Sequence, residues 1–232
     1  DDLAESLEFR VSDGVAVIRV KMRERNVRWG DGSDLRIRVP HASRVYFRGV
    51  STELKIRSIT SGVDIDTVSG DVRAREIRQG QRVKTVSGDV TLRDSAGDLR
   101  VTSVSGDVEL HVDAQSAVID AVSGEVEGEL GHVDELSLKL ISGEAELSAA
   151  LNEAAEVYVE SVSGDVDLRL AVPIDAEVDL RTGPGGDIDH GLDDTRPEKN
   201  MMSGRSLRTR LGAGTARVRM QTISGDLRVH AS

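Results

Sequence analysis

Acidic residues hold one position of a recurring five-residue core, among them Asp71, Asp89, Asp107, Glu125, Glu144 and Asp165. The core reads VSGDV at 68–72, 86–90, 104–108 and 162–166, VSGEV at 122–126, ISGEA at 141–145 and ISGDL at 223–227. ITSGV at 59–63 reads as a degenerate first copy, and SAGDL at 95–99 as an echo between copies. Carboxylates stacked in a column would offer the oxygen donors that Ca²⁺ favours. Neighbours about 5 Å apart in water would also repel each other by roughly 0.8 kcal/mol. The competing use is local, each acid bonding the backbone of its own turn and staying solvated. Calcium-binding nonapeptide repeats carry GGxGxD, whereas this chain has SGD or AGD, which argues for the local use. No metal and no cofactor is assigned.

Just beyond the motif acids, Glu109, Glu127, Glu146 and Asp167 sit at outward positions and widen the column into an acidic face. Residues 101–195 carry 3 Lys/Arg against 23 Asp/Glu, and residues 196–232 carry 8 against 2. Such a face would take a basic partner or the chain's own Arg-rich end. The plain alternative is a solvated surface that keeps a β-stack soluble. Two basic groups stand apart from it: Arg19, Lys21, Arg23, Arg25 and Arg28 near Trp29, and Arg205, Arg208, Arg210, Arg217 and Arg219 near the end. The first suits peripheral contact with anionic lipid headgroups, or is simply the outward row of amphipathic strands. A nucleic-acid partner is not expected, because that needs a basic footprint over the whole domain.

Acid–base chemistry has little to work with. His41, His111, His132, His190 and His230 are scattered, and only Asp187, Asp189 and His190 form a compact cluster, beside the glycine-rich GPGG. That cluster is a candidate for metal or proton-transfer work, and in the simpler reading it is a loop. GPGG lacks the Gly-Lys-Ser/Thr of a phosphate-binding loop.

The elements that position these residues follow from the repeat. The motif glycines Gly70, Gly88, Gly106, Gly124, Gly143 and Gly164 are spaced 18, 18, 18, 19 and 21 apart. Apolar residues alternate after each motif (Val90 and Leu92, Val108 and Leu110) and before it (Leu99 and Val101), a period of two that predicts strands. Val101 and Val104 are three apart, so the phase slips and a corner is expected at the motif. An 18-residue unit cannot bury its own apolar face, but stacked units can. The reading is all-β: a single-stranded β-solenoid of 18–21-residue coils, right-handed by the crossover preference, with Val72, Val90, Val108, Val126 and Val166 as an interior ladder. A sandwich or barrel is the rival. Residues 1–50 are expected to form a cap with a hairpin turning at Ser12-Asp13-Gly14 and a strand over 35–40, which Pro40 ends. Residues 51–232 form the solenoid, with 182–206 as an inserted loop or flap. SAALNEAAEV at 148–157 is the best helix candidate, or a widened coil.

The chain has 232 residues, no cysteine and 2% aromatics, so its core must rest on Val, Leu and Ile. No apolar run is long enough to span a membrane. It starts without Met, which reads as a processed or truncated product that has lost a signal peptide, lipid anchor or transmembrane segment.

The repeated VSGDV with alternating strands, ending in TISGDLRVH, resembles bacterial adhesin-type β-strand-repeat domains of unknown function, similar to head-domain GIN-type adhesins. The resemblance covers roughly residues 35–232 and implies an exported, periplasmic or envelope-associated β-solenoid. The expected role is a non-enzymatic scaffold or adhesin-like module presenting an acidic surface to a protein or glycan. Two alternatives stand beside it: a carbohydrate-active solenoid enzyme using Asp187, Asp189 and His190, and an envelope stress-sensing domain anchored by a missing N-terminal segment.

Overall fold

A computed structural model describes residues 7–12, 14–20, 35–199 and 204–232, which contain strands and no helix. The chain divides into two units, Asp1–Val39 and Pro40–Ser232. In the first, Leu7–Ser12 pairs antiparallel with Val15–Val20, from Leu7 opposite Val20 to Ser12 opposite Val15. Gly14 turns the hairpin at φ +76°. The strand expected over 35–40 does not form. Leu35, Ile37 and Val39 alternate as a strand would, but all three are exposed and no neighbouring strand pairs with them.

The second unit is the β-solenoid. Each rung carries two strands, and each strand pairs in parallel with its equivalent one rung on. On one side, Val45–Ser51, Val63–Ser69, Gln81–Ser87, Leu99–Ser105 and Ser116–Ala121 stack in order. On the other, Leu54–Ile59, Val72–Ile77, Val90–Ala96 and Val108–Asp113 do the same. The stack therefore begins at Val45, inside the segment expected to be cap. From Glu125 to Leu170 strand pairing continues through the corners, where Gly131 and Gly143 take positive φ. The Ala-rich 148–157 lies within this strand, with Ala149, Ala155 and Val157 buried, so packing overrides its helix propensity.

Branched aliphatic side chains fill the interior. Val72, Val90, Val108, Val126 and Val166 are all at most 1% exposed, as their alternation predicts. The valine that opens each motif behaves differently. Val50, Val68, Val86, Val104, Val122, Ile141, Val162 and Ile223 all face outward and form an exposed aliphatic column. The corner thus absorbs the phase slip by turning this residue out. ITSGV also sits elsewhere than expected. Its Gly62 occupies the opposite corner, and the first motif copy is VSTEL at 50–54, whose Thr52 lies under Gly70.

The far end departs from sequence order. The C-terminal rung, Ala216–Thr222 and Leu227–Ala231, does not finish the stack. It lies between residues 156–170 on one side and the rung of Ala176–Thr182 and Ile188–Gly191 on the other. Arg205–Leu211 then pairs antiparallel with Ala176–Thr182, and Glu198–Lys199 pairs with Arg205–Leu211. The stretch expected as an inserted loop, 182–206, therefore supplies half a rung. Its GGDI at 185–188 is a further motif copy. Gly186 stacks on Gly225, and Ile188 is buried opposite Leu227.

Candidate functional site

Each residue of the Ser-Gly-Asp corner makes one contact between rungs. The serine hydroxyl donates to a carbonyl of the preceding rung: Ser69 to Val50 at 3.0 Å, Ser87 to Val68 at 3.3 Å, Ser105 to Val86 at 3.1 Å, and Ser123 to Val104 at 3.1 Å. The glycines Gly70, Gly88, Gly106, Gly124 and Gly143 take φ between +108° and +125°. A Cβ on Gly106 would stand 2.5 Å from the Gly88 carbonyl oxygen, so the rungs can only close over glycine. The aspartate accepts from the next rung. Asp71 takes the N–H of Asp89 at 3.2 Å, Asp89 that of Asp107 at 3.0 Å, and Asp107 that of Glu125 at 3.0 Å. At the far end, Asp165 takes the N–H of Asp226, and Asp226 takes that of Asp187, each at 2.8 Å. One oxygen of each of these carboxylates is thus committed to the fold. Among the described residues no group of three or more His, Asp or Glu side chains is placed to hold a metal ion.

The acidic face forms beside this column. Glu109 lies opposite Glu127, and the stacking of Gly143 on Gly124 and of Gly164 on Gly143 carries the same register to Glu146 and Asp167. Some of these charges are matched. Arg93 binds Glu109, His111 lies 3.4 Å from Glu109 and 3.2 Å from Glu129, and Arg169 pairs with Glu146. Glu127 has no ion-pair partner among the described residues. Its charge, followed by burial and by Asp107 and Glu144, holds the Glu125 carboxyl above the usual carboxylate range. Asp167 lies opposite Arg228, with its Oδ1 buried and unbonded.

Part of the acidic block is answered by the chain's own basic end. Arg217 lies opposite both Glu156 and Glu177, and Arg219 opposite both Tyr158 and Asp179. Beyond them, Arg208 reaches Asp179 at 3.1 Å. Direct stacking of 176–182 on 156–161 in this register would set Glu177 against Glu156, which like charges disfavour. The inserted rung makes the charges alternate, and this gives a physical reason for the departure from chain order.

The flap candidates separate. Asp187 and Asp189 line a shallow depression with Asp226 and Arg228, and Asp187 pairs with Arg205 at 2.9 Å. His190 is not part of that lining and its Nε2 lies 2.7 Å from the Thr195 carbonyl. Of the first basic cluster, Arg19 is exposed on the hairpin opposite Glu8. Lys21, Arg23, Arg25, Arg28 and Trp29 lie outside the described residues.

No curated protein and no solved structure matches the chain. A family description does, over residues 4–115 and again over 83–230. It describes a repeat-type domain of unknown function and does not carry the adhesin label. With the stacked rungs and their corner motif, this shows that the chain belongs to the Toastrack DUF4097 family.

Proposed function

We propose that the protein is a non-enzymatic envelope scaffold whose rigid β-solenoid presents its acidic face to a basic protein segment. The observation that supports this most is the unmatched acidic patch at Glu125 and Glu127, where like charges already oppose ionisation. A cation docking there relieves repulsion and needs no rearrangement of a scaffold fixed by its corners. The recurring residues are occupied in joining rungs, which supports display over turnover. The envelope setting rests on the adhesin-type resemblance, and fractionation of cells expressing the full gene checks it.

Binding is tested by titrating the full chain with a lysine-rich peptide. Wild type is expected to bind saturably and more weakly as salt rises. The double variant Glu125→Gln and Glu127→Gln is expected to lose about tenfold in affinity, about 1.4 kcal/mol. Binding that ignores both the substitutions and the salt contradicts the reading.

A further inference from the structure

A second depression, of about 560 Å³, lies on the sheet that begins with Val45–Ser51, at its N-terminal rungs. Two adjacent outward columns frame it. In the register of these strands, Gly62, Gly80 and Asp98 follow Arg44 in one column, and Asp64, Arg82 and Arg100 follow Tyr46 in the other. Gly62 is required by its corner: it takes φ +92°, and a Cβ there would stand 2.6 Å from the Gly80 carbonyl oxygen. Gly80 is different. Its φ lies outside the left-handed region, and the nearest atom to an added Cβ is the Asp98 carbonyl oxygen at 3.9 Å. The backbone would admit a side chain at Gly80, yet none is present, and the floor of the depression stays open.

The walls carry charge of both signs. Arg82 and Arg100 come from successive rungs, so their backbones stand about 4.8 Å apart. Neither has an ion-pair partner among the described residues, and the same is true of Asp64 and Asp98. Arg44 is held with its guanidinium 5.5 Å from the centre of the Tyr46 ring, and that ring is 69% exposed. Stacked guanidinium groups suit a carboxylate or phosphate. Asp64 and Asp98, as carboxylates, accept hydrogen bonds and repel anions. A phosphate at neutral pH brings up to two negative charges to that repulsion and only one or two hydroxyls in return. A neutral sugar leaves the arginines without a counter-charge. A sugar acid satisfies both sets of groups, and the exposed Tyr46 stands one rung before the lining Asp64.

We propose that this groove binds a uronic-acid unit of an acidic glycan, its carboxylate on Arg82 and Arg100 and its hydroxyls on Asp64 and Asp98. The site is separate from the acidic face and stands or falls independently of it. The test is calorimetric titration of the full chain with tetragalacturonate, with the neutral galactose tetramer and inorganic phosphate as parallel arms. Saturable binding is expected for tetragalacturonate, with the other two weaker by about tenfold or more. Gly80→Leu is expected to weaken binding about tenfold or more while leaving the thermal unfolding midpoint in place. Arg82→Gln with Arg100→Gln is expected to do the same from the charge side. The proposal is overturned by absence of saturable tetragalacturonate binding, by equal binding of either control, or by undiminished binding in the arginine double variant.

Discussion

At the scale of single residues, the corner separates two kinds of glycine. Gly106 sits at φ +117° over the Gly88 carbonyl, whereas Gly80 has ordinary room for a methyl group. Gly106→Ala is expected to cost about 1–3 kcal/mol in denaturant unfolding. Gly80→Ala is expected to stay within about 0.5 kcal/mol. Equal effects would contradict the inter-rung role given to the motif glycine. The acids give a second test. Because the folded pKa of Glu125 is raised, its ionised form opposes folding at neutral pH, and that penalty fades as pH falls through the raised pKa. Glu127→Gln removes the leading cause, so the Glu125 titration followed by NMR is expected to shift down toward the ordinary carboxylate range. An unmoved midpoint would assign the shift to burial and the charges of Asp107 and Glu144 instead. Much of this scale was legible: alternation placed Val72, Val90 and Val108 inside, and turn chemistry named Ser, Gly and Asp. The outward Val68, Val86 and Val104 were not legible. A period-two count cannot cross a corner, and an apolar side chain does not announce which way it turns. Each is partly covered by its neighbours in the column, being 47%, 47% and 42% exposed against 66% for Val50 at the end.

At the scale of elements, the rung built from Ala176–Thr182 and Ile188–Gly191 joins the stack through the C-terminal rung. In a stack, stability passes between nearest neighbours. Deleting residues 216–232 is therefore expected to strip hydrogen-exchange protection from 176–182 and 188–191 while the rungs of Val63–Asp113 keep theirs. Retained protection at 176–182 would mean that this rung holds without the C-terminal rung, through its pairing with Arg205–Leu211 or by closing on 156–161. Chain order hid this arrangement, because ISGDL at 223–227 looks like every other copy. The charge contrast between the acidic 101–195 and the Arg-rich 205–219 was the visible signal, and it pointed to the chain's own end as a partner without giving the position. GGDI at 185–188 was equally visible, and the neighbouring Pro and Gly disguised it as a loop.

At the scale of the whole solenoid, outward charge changes sign along the stack. One sheet carries Lys55, Arg57, Arg73, Arg75 and Arg93 on its early rungs, then Glu109, Glu127 and Glu129. A scaffold of this kind can display opposite surfaces from one fold: the groove proposal uses its early rungs, and the acidic-face proposal uses the middle of the stack. Both depend on rungs stacked in register, with the last strands of the chain inserted before the end. The chain has no cysteine, so engineered cysteine pairs report distance without background. Neighbouring rungs about 4.8 Å apart suit a disulfide, and rungs about 9.6 Å apart do not. The direct measurement is oxidative cross-linking of three double variants in the full chain. Thr91→Cys with Glu109→Cys and Asp167→Cys with Arg228→Cys are expected to close a disulfide, and Asp167→Cys with Asp189→Cys to remain reduced. Closure of the last pair with failure of the second would contradict the inserted rung, and failure of the first would contradict the solenoid itself.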